Sequence, residues 1–587
     1  MDRHLLRGLP EHASQGRSLA ARAGFALVLL VFTTALQAQA ILEGERHHPE
    51  EGRHGMVVTS HDLATDAALR VLKNDGNAVD AAVTAGFVLA VVQPRSGNIG
   101  GGGFMLVAPG DGSPVEAIDY REKAPAAATE TMFQDEDGNV VTNRSRFTHR
   151  ASGVPGTVAG MALALDRHGT LSLREALAPA IDLARNGFVV PPRFTEGLEQ
   201  AADRLHRWPA SRATFYRDDG SAWQPGERFR QPELAATLQR LADHGIQDFY
   251  QGETARLIVE EMQNHDGLIT REDLKHYQPS VREPAQGSYR GHEVFSMSPP
   301  SSGGTHIIQI LNILEDYPLA ELGHNSADTL HYMAEAMKLA YADRSEFLGD
   351  TDFVDVPLKG LQDKAYAAEL RKGISPDKAR PASDIQPGNP GAYESPETTH
   401  FSIVDRWGNA VSNTYTINFS YGSGITVTGA GFLLNNEMDD FSAKPGVPNA
   451  FGLIGGEANK VEPGKRMLSS MSPTIVRKDG RNVLVTGSPG GSRIITTTLQ
   501  VILNVIDHNM NIQTAVNAPR MHHQWLPDAI FIEQGFSPDT LRLLEARGHT
   551  IKPTSAMGAI QSILLDADGT LYGGADPRRS TSSAKGY

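Results

Sequence analysis

The spacing of apolar positions predicts a largely helical first part of the chain and a later part that begins with strands. Upstream of residue 375, apolar residues recur every three or four positions, which predicts helices at 60–74, 78–92, 171–186, 306–316 and 326–348. Two short apolar runs, at 104–108 and 115–120, predict strands. Helices packed over a sheet form the simplest arrangement that buries both kinds of apolar face.

A compositional break separates the two parts. Pro, Gly, Asp and Ser accumulate between Ser375 and Pro396, which predicts an exposed linker. Residues 400–404 and 410–418 then alternate in polarity around five turn-forming residues, a pattern that predicts a β-hairpin. Further along, we expect a buried strand at 483–486, a loop at 487–492, a helix at 493–508 and a final strand pair at 560–565 and 570–573.

The register of this hairpin brings two threonines together. If Val404 pairs with Ala410 across the loop, Thr398 lies opposite Thr416 on the same face. A threonine hydroxyl is a weak nucleophile unless a base takes its proton, and one such base is the threonine's own amino group after the preceding peptide bond is cut. A cross-strand pair that only stabilises the sheet fits the same pattern, so the register leaves both roles open.

The glycine-rich loop at residues 487–492 is a second candidate feature. It joins a predicted buried strand to the start of a predicted helix, where free N–H groups and the helix dipole favour negative charge. Gly490 and Gly491 are therefore candidates for an oxyanion hole. A tight strand-to-helix turn explains the pattern equally well.

Composition and charge exclude several classes of function. A chain of 587 residues with 40% hydrophobic and 21% charged residues is typical of globular proteins, and its length leaves the number of domains open. The net charge of -15 argues against a nucleic-acid partner or an anionic membrane surface. Cysteine is absent, which excludes disulfides, thiolate nucleophiles and Cys-based zinc sites.

Residues 1–40 have the features of a secretory signal peptide. Four arginines precede an apolar run at 25–36, and an Ala-Gln-Ala triplet follows at 38–40. Because a helix needs about 20 apolar residues to span a bilayer, this run favours a signal peptide over a membrane anchor. We expect residues 1–40 to be removed, which leaves a periplasmic or secreted protein without membrane attachment.

Other motifs favour structural roles. The glycines at 100–103 lack the Lys-Ser/Thr of a phosphate loop, so we expect close backbone packing there. The acidic stretch at 135–139 lacks the distal glutamate of a calcium loop and predicts a surface turn. His522 and His523 are adjacent and point apart, which disfavours a shared metal ion. We therefore expect no cofactor and no catalytic metal.

Taken in order, the motifs resemble the bacterial γ-glutamyltransferases (γ-glutamyl transpeptidases or glutathione hydrolases). The densest matches are TTHFSIVD at 398–405 and GNAVSNTYTIN at 408–418, with others at 299–304, 434–441, 469–473 and 487–493. The resemblance covers residues 44–587. It implies an α+β fold of the N-terminal-nucleophile hydrolase type, a four-layer αββα sandwich made jointly by two subunits cut from one precursor.

The resemblance also implies where the precursor is cut. Cleavage between Glu397 and Thr398 gives a large subunit, residues 41–397, and a small subunit, residues 398–587. The linker indicated by composition lies at the position of this bond. Thr398 then acts as the nucleophile, Thr416 holds its hydroxyl, and Gly490 and Gly491 present N–H groups to the oxyanion.

A γ-glutamyl group carries both a carboxylate and an ammonium, and the resemblance implies residues for each. Arg121 binds the carboxylate with help from Ser469 and Ser470. Asn418, Glu437 and Asp440 hold the ammonium. Residues 442–452 match the family's lid loop, with Phe451 where relatives often carry tyrosine.

The implied substrates are glutathione and other γ-glutamyl compounds, with water, amino acids or dipeptides as acceptors. Two alternatives remain open at this stage. One is an amidase of the same fold that acts on cephalosporin side chains or poly-γ-glutamate. The other is an uncleaved periplasmic binding protein that has kept the fold without the activity.

Overall fold

Two large β-sheets form the centre of the computed structural model, which describes residues 48–387, 398–444 and 456–587. The strands are β1 (Glu50–Gly52), β2 (Met56–Thr59), β3 (Gly102–Ala108), β4 (Glu116–Asp119), β5 (Phe188–Val189), β6 (Arg228–Phe229), β7 (Ser280–Arg282), β8 (Ala285–Tyr289), β9 (His292–Ser296), β10 (Thr399–Val404), β11 (Ala410–Thr416), β12 (Thr474–Lys478), β13 (Arg481–Thr486), β14 (Met521–His522), β15 (Ile530–Ile532), β16 (Ile551–Pro553), β17 (Gln561–Leu565), β18 (Leu571–Ala575) and β19 (Ser583–Gly586).

Helices cover the outer faces of these sheets. They are α1 (Asp62–Lys73), α2 (Ala78–Val92), α3 (Thr142–Arg146), α4 (Thr157–His168), α5 (Leu173–Asn186), α6 (Pro192–Leu205), α7 (Pro209–Phe215), α8 (Pro232–His244), α9 (Gln247–Tyr250), α10 (Glu253–Asn264), α11 (Arg271–His276), α12 (Gly303–Leu314), α13 (Leu319–Leu322), α14 (Ala327–Phe347), α15 (Leu358–Leu361), α16 (Lys364–Arg371), α17 (Arg493–Ile506), α18 (Ile512–Asn517) and α19 (Pro538–Ala546). Short 3₁₀ turns include Glu437–Asp440.

The layers follow from three apolar cores. One seven-stranded sheet has the order β1-β18-β17-β13-β12-β9-β8, and the other has the order β19-β2-β10-β11-β3-β4-β7. Side chains such as Phe104 and Ile475 pack between the two sheets. A second core joins Val411 of one sheet to helices such as α2 and α5, and a third joins Val476 of the other sheet to α12, α14 and α17. The predicted four-layer αββα sandwich is confirmed.

The predicted elements lie close to the observed ones. The five helices expected upstream of the linker correspond to α1, α2, α5, α12 and α14, with ends shifted by a few residues. Helix α2 begins at its predicted residue because the Asn77 side chain accepts hydrogen bonds from the N–H groups of Val79 and Asp80. All 15 residues of α2 are buried, which explains why its pattern is continuously apolar rather than amphipathic.

The hairpin after the linker has the predicted register. Val404 pairs with Ala410, and Thr399 pairs with Tyr415. The Asp405 carboxylate accepts hydrogen bonds from the N–H groups at positions 407 and 409, which closes the five-residue turn. Extending this register by one residue places Thr398 opposite Thr416.

The glycines at 100–103 pack closely against the hairpin, as predicted. A Cβ atom on Gly101 would lie 1.9 Å from the carbonyl oxygen of Thr416, and one on Gly100 would lie 2.1 Å from that of Leu433. Strand β3 begins at Gly102 and pairs with β11 along its whole length, so that Gly102 lies opposite Thr416, the last residue of β11. Because these glycines have no side chains, their backbone can lie close to the end of β11.

The chain segments before and after the linker share both sheets. Strands β10, β11 and β19 lie in one sheet with β2, β3, β4 and β7, while β12, β13, β17 and β18 lie in the other with β1, β8 and β9. The described part of the linker, residues 375–387, is mostly exposed. The signal-peptide prediction at 1–40, the scissile bond after Glu397 and Phe451 of the lid loop lie outside the described residues. In the described part of the chain, no helix is both long enough and apolar enough to cross a bilayer.

Candidate active site

Thr398 directly precedes β10 and is buried in the fold. The residue is 3% exposed, and its partner across the hairpin, Thr416, is also 3% exposed. The Arg579 guanidinium donates a hydrogen bond to the Thr398 carbonyl at 3.3 Å. Arg579 and Gly490 both line a cavity of about 410 Å³. Arg579 therefore connects the Thr398 backbone to this cavity, and Thr398 itself is not among the described lining residues.

The Thr416 hydroxyl is held by the turn that follows it. Its oxygen accepts a hydrogen bond from the Asn418 N–H at 2.8 Å. Asn418 adopts a left-handed conformation with a φ of 71°, which asparagine tolerates better than most residues. The Asn418 side chain donates to the Asn436 carbonyl at 3.0 Å, which is the residue before Glu437. The turn thus connects the threonine pair to the acidic segment at 437–440.

Gly490 and Gly491 lie in the predicted loop between β13 and α17. Their φ angles of 134° and 61° fall in the region that favours glycine. In the part of the chain that the structure describes, neither of their N–H groups donates to a protein acceptor. Unused amides at a helix start attract negative charge. This geometry suits an oxyanion hole better than a purely structural turn, whose amides are usually paired.

The same loop packs against the strand that carries Thr398. A Cβ atom on Gly487 would lie 2.5 Å from the ring of His400, which is two residues from Thr398. Burial lowers the pKa of His400 to about 3, and its ring bonds to the hydroxyls of Thr414 and Ser402. His400 is therefore a neutral spacer between strand and loop, and its imidazole is occupied by structural hydrogen bonds.

Arg121 lies at the centre of a buried ionic cluster. Its guanidinium bonds to Glu437 and to Asp440, each at 2.5 Å. It also donates to the carbonyls of Met467 at 3.2 Å and Leu468 at 3.1 Å. The structure therefore pairs Arg121 directly with two acids that lie more than 300 positions further along the chain.

Glu122 is a further acid of this cluster, which we call the Arg121 cluster (Arg121, Glu122, Glu437 and Asp440). A Glu122 oxygen lies 3.7 Å from Arg121, and neither oxygen has a hydrogen-bond partner in the described chain. Burial raises the pKa of Glu122 to about 8, although Arg121 opposes this shift. Burial likewise raises the pKa of Asp440 to about 6, against the effect of Arg121, and raises that of Glu437 well above its usual range.

Ser469 and Ser470 directly follow the carbonyls that Arg121 contacts. Both serines are buried. The Ser469 hydroxyl accepts from the Met471 N–H at 3.2 Å, and the Ser470 hydroxyl accepts from Arg344 at 3.1 Å. Arg344 also donates to Ser302 at 2.9 Å. A second buried arginine thus holds the segment that forms one wall of the Arg121 cluster.

Sequence reasoning missed three residues of this region: Glu122, Arg344 and Arg579. Glu122 follows Arg121 directly, so its proximity was visible, but its burial was not. Arg344 lies in α14 and Arg579 lies near the C-terminus, and only the folded chain places them beside Ser470 and Thr398. Among the residues that the structure describes, two groups of His and Glu lie close enough together to hold a metal ion, and neither includes a residue proposed for catalysis or substrate binding.

Comparison with known proteins decides the family. The model of the gamma-glutamyltranspeptidase family matches residues 64–586. The chain belongs to this family. A relative from Escherichia coli strain K12, named glutathione hydrolase proenzyme, is 52% identical over 93% of this chain and 94% of its own length. Membership confirms the resemblance seen in the sequence and identifies the protein as an enzyme of the γ-glutamyltransferase class.

Solved structures of similar proteins agree with the fold. A cephalosporin acylase from Bacillus halodurans superposes with a TM-score of 0.83 at 29% identity, covering 94% of this chain and 98% of that chain. A Helicobacter pylori gamma-glutamyltranspeptidase chain is 45% identical with a TM-score of 0.56, covering 59% of this chain and 97% of its own length. The first match spans both parts of this chain, before and after the linker.

Proposed function

We propose that this γ-glutamyltranspeptidase family member hydrolyses glutathione and related γ-glutamyl compounds and transfers the γ-glutamyl group to amino acids or dipeptides. The observation that carries the proposal is the arrangement around Thr398. Its hairpin partner is a buried threonine, and its carbonyl contacts an arginine that shares a cavity with Gly490. The unused amides of Gly490 and Gly491 suit a tetrahedral oxyanion.

Maturation is the first step of the proposed chemistry. The Thr398 hydroxyl attacks the carbonyl of Glu397, the peptide C–N bond breaks, and water hydrolyses the resulting ester. The products are a large subunit, residues 41–397, and a small subunit, residues 398–587, with a free amine on Thr398. The "proenzyme" in the name of the E. coli relative supports processing of this kind.

In turnover, the new amine serves as the base for its own hydroxyl. It takes the hydroxyl proton as Thr398 attacks the γ-carbonyl, and the amides of Gly490 and Gly491 stabilise the oxyanion, each by about 3 kcal/mol. The C–N bond of the substrate then breaks, and the leaving amine takes the proton. Water or an acceptor amine cleaves the γ-glutamyl ester and regenerates the threonine.

Recognition of the glutamyl end is assigned to the Arg121 cluster. The ammonium of the substrate pairs with Asp440 and Glu437, with Asn418 beside them, while its carboxylate pairs with Arg121 and with Ser469 and Ser470. Because the cluster is buried and already ion-paired, a group with a single charge would leave one partner without compensation. Only a zwitterion replaces both halves of each ion pair.

We further propose that the enzyme acts after export to the periplasm or outside the cell. The support is the arginine-rich, then apolar, then small-residue pattern of residues 1–40. Fractionation of cells that express the full-length chain tests this proposal. Activity confined to the cytoplasm would contradict it.

A second candidate function is amidase activity on cephalosporin side chains, which the similarity to the B. halodurans acylase favours. Rates on a γ-glutamyl anilide and on the matching glutaryl anilide, which lacks the α-amino acid group, separate the two functions. We expect a strong preference for the γ-glutamyl substrate. Equal rates would favour the acylase function.

A denaturing gel tests the maturation step directly. The wild type should give two bands, and Thr398→Ala should give one full-length band without activity. Thr398→Ser is the matched control, because it retains a hydroxyl and an amine and should still be cut, although more slowly. A single full-length band for an active wild type would refute the proposed mechanism.

A further inference from the structure

Two histidines and a glutamate meet at the end of α10, and none of them belongs to the Arg121 cluster. His149 begins a 3₁₀ turn, Glu261 lies in the last turn of α10, and His265 directly follows that helix. The Nε2 atom of His149 lies 3.0 Å from Oε1 of Glu261, and Nδ1 of His265 lies 3.3 Å from the same oxygen. The three potential ligand atoms all lie within 4.8 Å of one another. We call this group the His149 cluster.

These separations match those around a tetrahedral metal ion. Zinc binds nitrogen and oxygen ligands at about 2.0–2.1 Å, which places the ligand atoms of a tetrahedral site about 3.4 Å apart. Two imidazoles and one carboxylate form a set that zinc uses when its fourth position is open to water. Hydrogen bonds between imidazole and carboxylate have similar lengths, so the assignment depends on what surrounds the three groups.

The surroundings orient the carboxylate and leave one side of the His149 cluster open. The side chains of His149 and Glu261 are 1% and 6% exposed, while that of His265 is 41% exposed. The second oxygen of Glu261 accepts hydrogen bonds from the N–H of Thr428 at 3.2 Å and from its hydroxyl at 2.7 Å. Although burial opposes the shift, hydrogen bonds from His149 and Thr428 lower the pKa of Glu261. The carboxylate is therefore ionised and held from behind, as a metal ligand must be.

The two imidazole rings are held to different degrees. They are stacked with centroids 4.5 Å apart and planes 6° apart, and Trp208 meets both edge to face, at 4.9 Å from His149 and 5.7 Å from His265. A Cβ atom on Gly267 would lie 3.0 Å from that of His149, so the turn after α10 packs closely on the buried ring. A shared ion requires the His265 ring to tilt toward Glu261, and its exposure leaves room for this movement.

A second group of His and Glu residues shows what a site unsuited to a cation looks like. His331 and His549 hydrogen-bond directly to each other at 2.8 Å. Glu335 forms an ion pair with the buried Lys338 at 2.5 Å, and this ammonium repels a metal ion. In the described part of the chain, by contrast, Glu261 forms ion pairs only with histidines. The charge around the His149 cluster therefore favours a cation.

We propose that His149, Glu261 and His265 bind one divalent transition-metal ion, with Zn²⁺ the best match to the donor set and water in the fourth position. Because Glu261 also bonds to Thr428, the ion connects two segments that precede the linker to one that follows it. Its role is structural: it stabilises the packing of these segments and takes no part in the reaction. The inference is independent of the function proposed above.

Equilibrium dialysis against Zn²⁺, on mature protein prepared without a polyhistidine tag, tests the site. The wild type should bind one ion tightly, and His265→Ala and Glu261→Gln should each bind it at least about 100-fold more weakly, because each lacks a ligand. His276→Ala is the matched control, since His276 is an exposed histidine 3.6 Å from a single glutamate, Glu272, and it should bind as the wild type does. No tight binding by the wild type, or unchanged affinity in both ligand variants, would overturn the proposal.

Trp208 reports where the ion binds. A paramagnetic ion such as Co²⁺ quenches the fluorescence of a nearby indole, and Trp208 is one of four tryptophans in the chain. Saturation with Co²⁺ should quench part of the wild-type fluorescence. Trp208→Phe keeps an aromatic ring beside the histidines, so it should bind Co²⁺ with similar affinity and lose this quenching. The same quenching in Trp208→Phe would place the ion elsewhere and overturn the assignment.

Thermal unfolding and activity test the structural role. At a Zn²⁺ concentration about 100 times the dissociation constant, the Tm of the wild type should rise by about 2 °C, and that of His265→Ala should not change. Removal of the ion with a chelator should leave the rate on a γ-glutamyl anilide within about twofold. A loss of activity that Zn²⁺ restores would overturn the structural role, whereas an inactive protein that binds Zn²⁺ as expected would contradict only the proposed function. The two-band gel shows for each variant that maturation has occurred.

Discussion

The Arg121 cluster and the cavity beside Gly490 differ in their charged groups. In the Arg121 cluster one guanidinium faces three carboxyl groups, all buried, and its ion pairs are internal. Five arginines line the cavity beside Gly490, and none of its described lining residues is acidic. The first arrangement suits a ligand with both charges.

The internal ion pairs of the Arg121 cluster determine how it selects a ligand. To bind in the Arg121 cluster, a zwitterion must replace ion pairs that already exist between Arg121 and its acids. Binding there therefore depends on a match between the ligand's two charges and these partners rather than on a net charge of the site. We therefore expect strict selection at the glutamyl end of the substrate.

The largest effect should come from removing the central cation. Arg121→Gln leaves buried acids without compensation, and we expect it to lower the free energy of unfolding by about 3 kcal/mol and kcat/KM for glutathione by at least about 100-fold. Urea unfolding and steady-state kinetics measure these changes. Arg121→Lys, which retains the charge but not the planar fork, should recover part of the stability. Unchanged stability in Arg121→Gln would show that the cluster does not depend on its cation.

Asp440→Asn should weaken selection for the amino group. Its neutral amide loses the ion pair with the ammonium, so we expect the KM for the γ-glutamyl anilide to rise about 30-fold and the KM for the glutaryl anilide to change little. Asp439→Asn is a matched control, because the neighbouring buried acid contacts Ser145 and Arg146 instead. Equal effects of the two variants on the substrate ratio would contradict the role of Asp440.

Low pH should weaken binding of the glutamyl end of the substrate. Burial raises the pKa of Asp440 to about 6, so this carboxyl gains a proton as the pH falls below 6 and no longer balances the ammonium. We expect the KM for glutathione to rise below pH 6, and we expect this rise to be absent in Asp440→Asn. A KM for glutathione that stays constant below pH 6 would contradict this role of Asp440.

Glu122→Gln should have the smallest effect on the kinetics at neutral pH, and its effect on stability should depend on pH. Burial raises the pKa of Glu122 to about 8, so the native state holds this proton more tightly than the unfolded chain does. The wild type therefore loses stability as the pH rises from the unfolded value toward 8, and the variant lacks this loss. Urea unfolding should show a stability gap in favour of the variant that grows from pH 5 to 8 and then levels off. A gap that does not change with pH would mean that Glu122 is ionised in the native protein.

The hairpin and the layers could be predicted from the sequence, because they depend on local patterns. A five-residue turn between alternating segments fixed the pairing of Val404 with Ala410, and therefore the position of Thr398. The linker was visible because its composition differs from that of its neighbours. Only the family resemblance identified Arg121 as a site residue, because nothing in the local sequence distinguishes it from a surface arginine.

The charge environments could not be predicted, because they arise from distant parts of the chain. Arg121 and Asp440 are 319 positions apart, and no local pattern indicates that they form an ion pair. The cavity beside Gly490 combines residues from position 95 to position 579. Burial, which raises the pKa of Glu122, is likewise a property of the assembled layers rather than of any segment.

Strands from before and after the linker share both sheets, and this has a consequence for the proposed cut. Strand β10 hydrogen-bonds to β2 on one side and to β11 on the other, and β11 in turn borders β3. Cutting the backbone before such a strand breaks one peptide bond and leaves the hydrogen bonds between the strands intact, so the two subunits remain held together by the shared sheets. The break can thus release a reactive amine without releasing either piece.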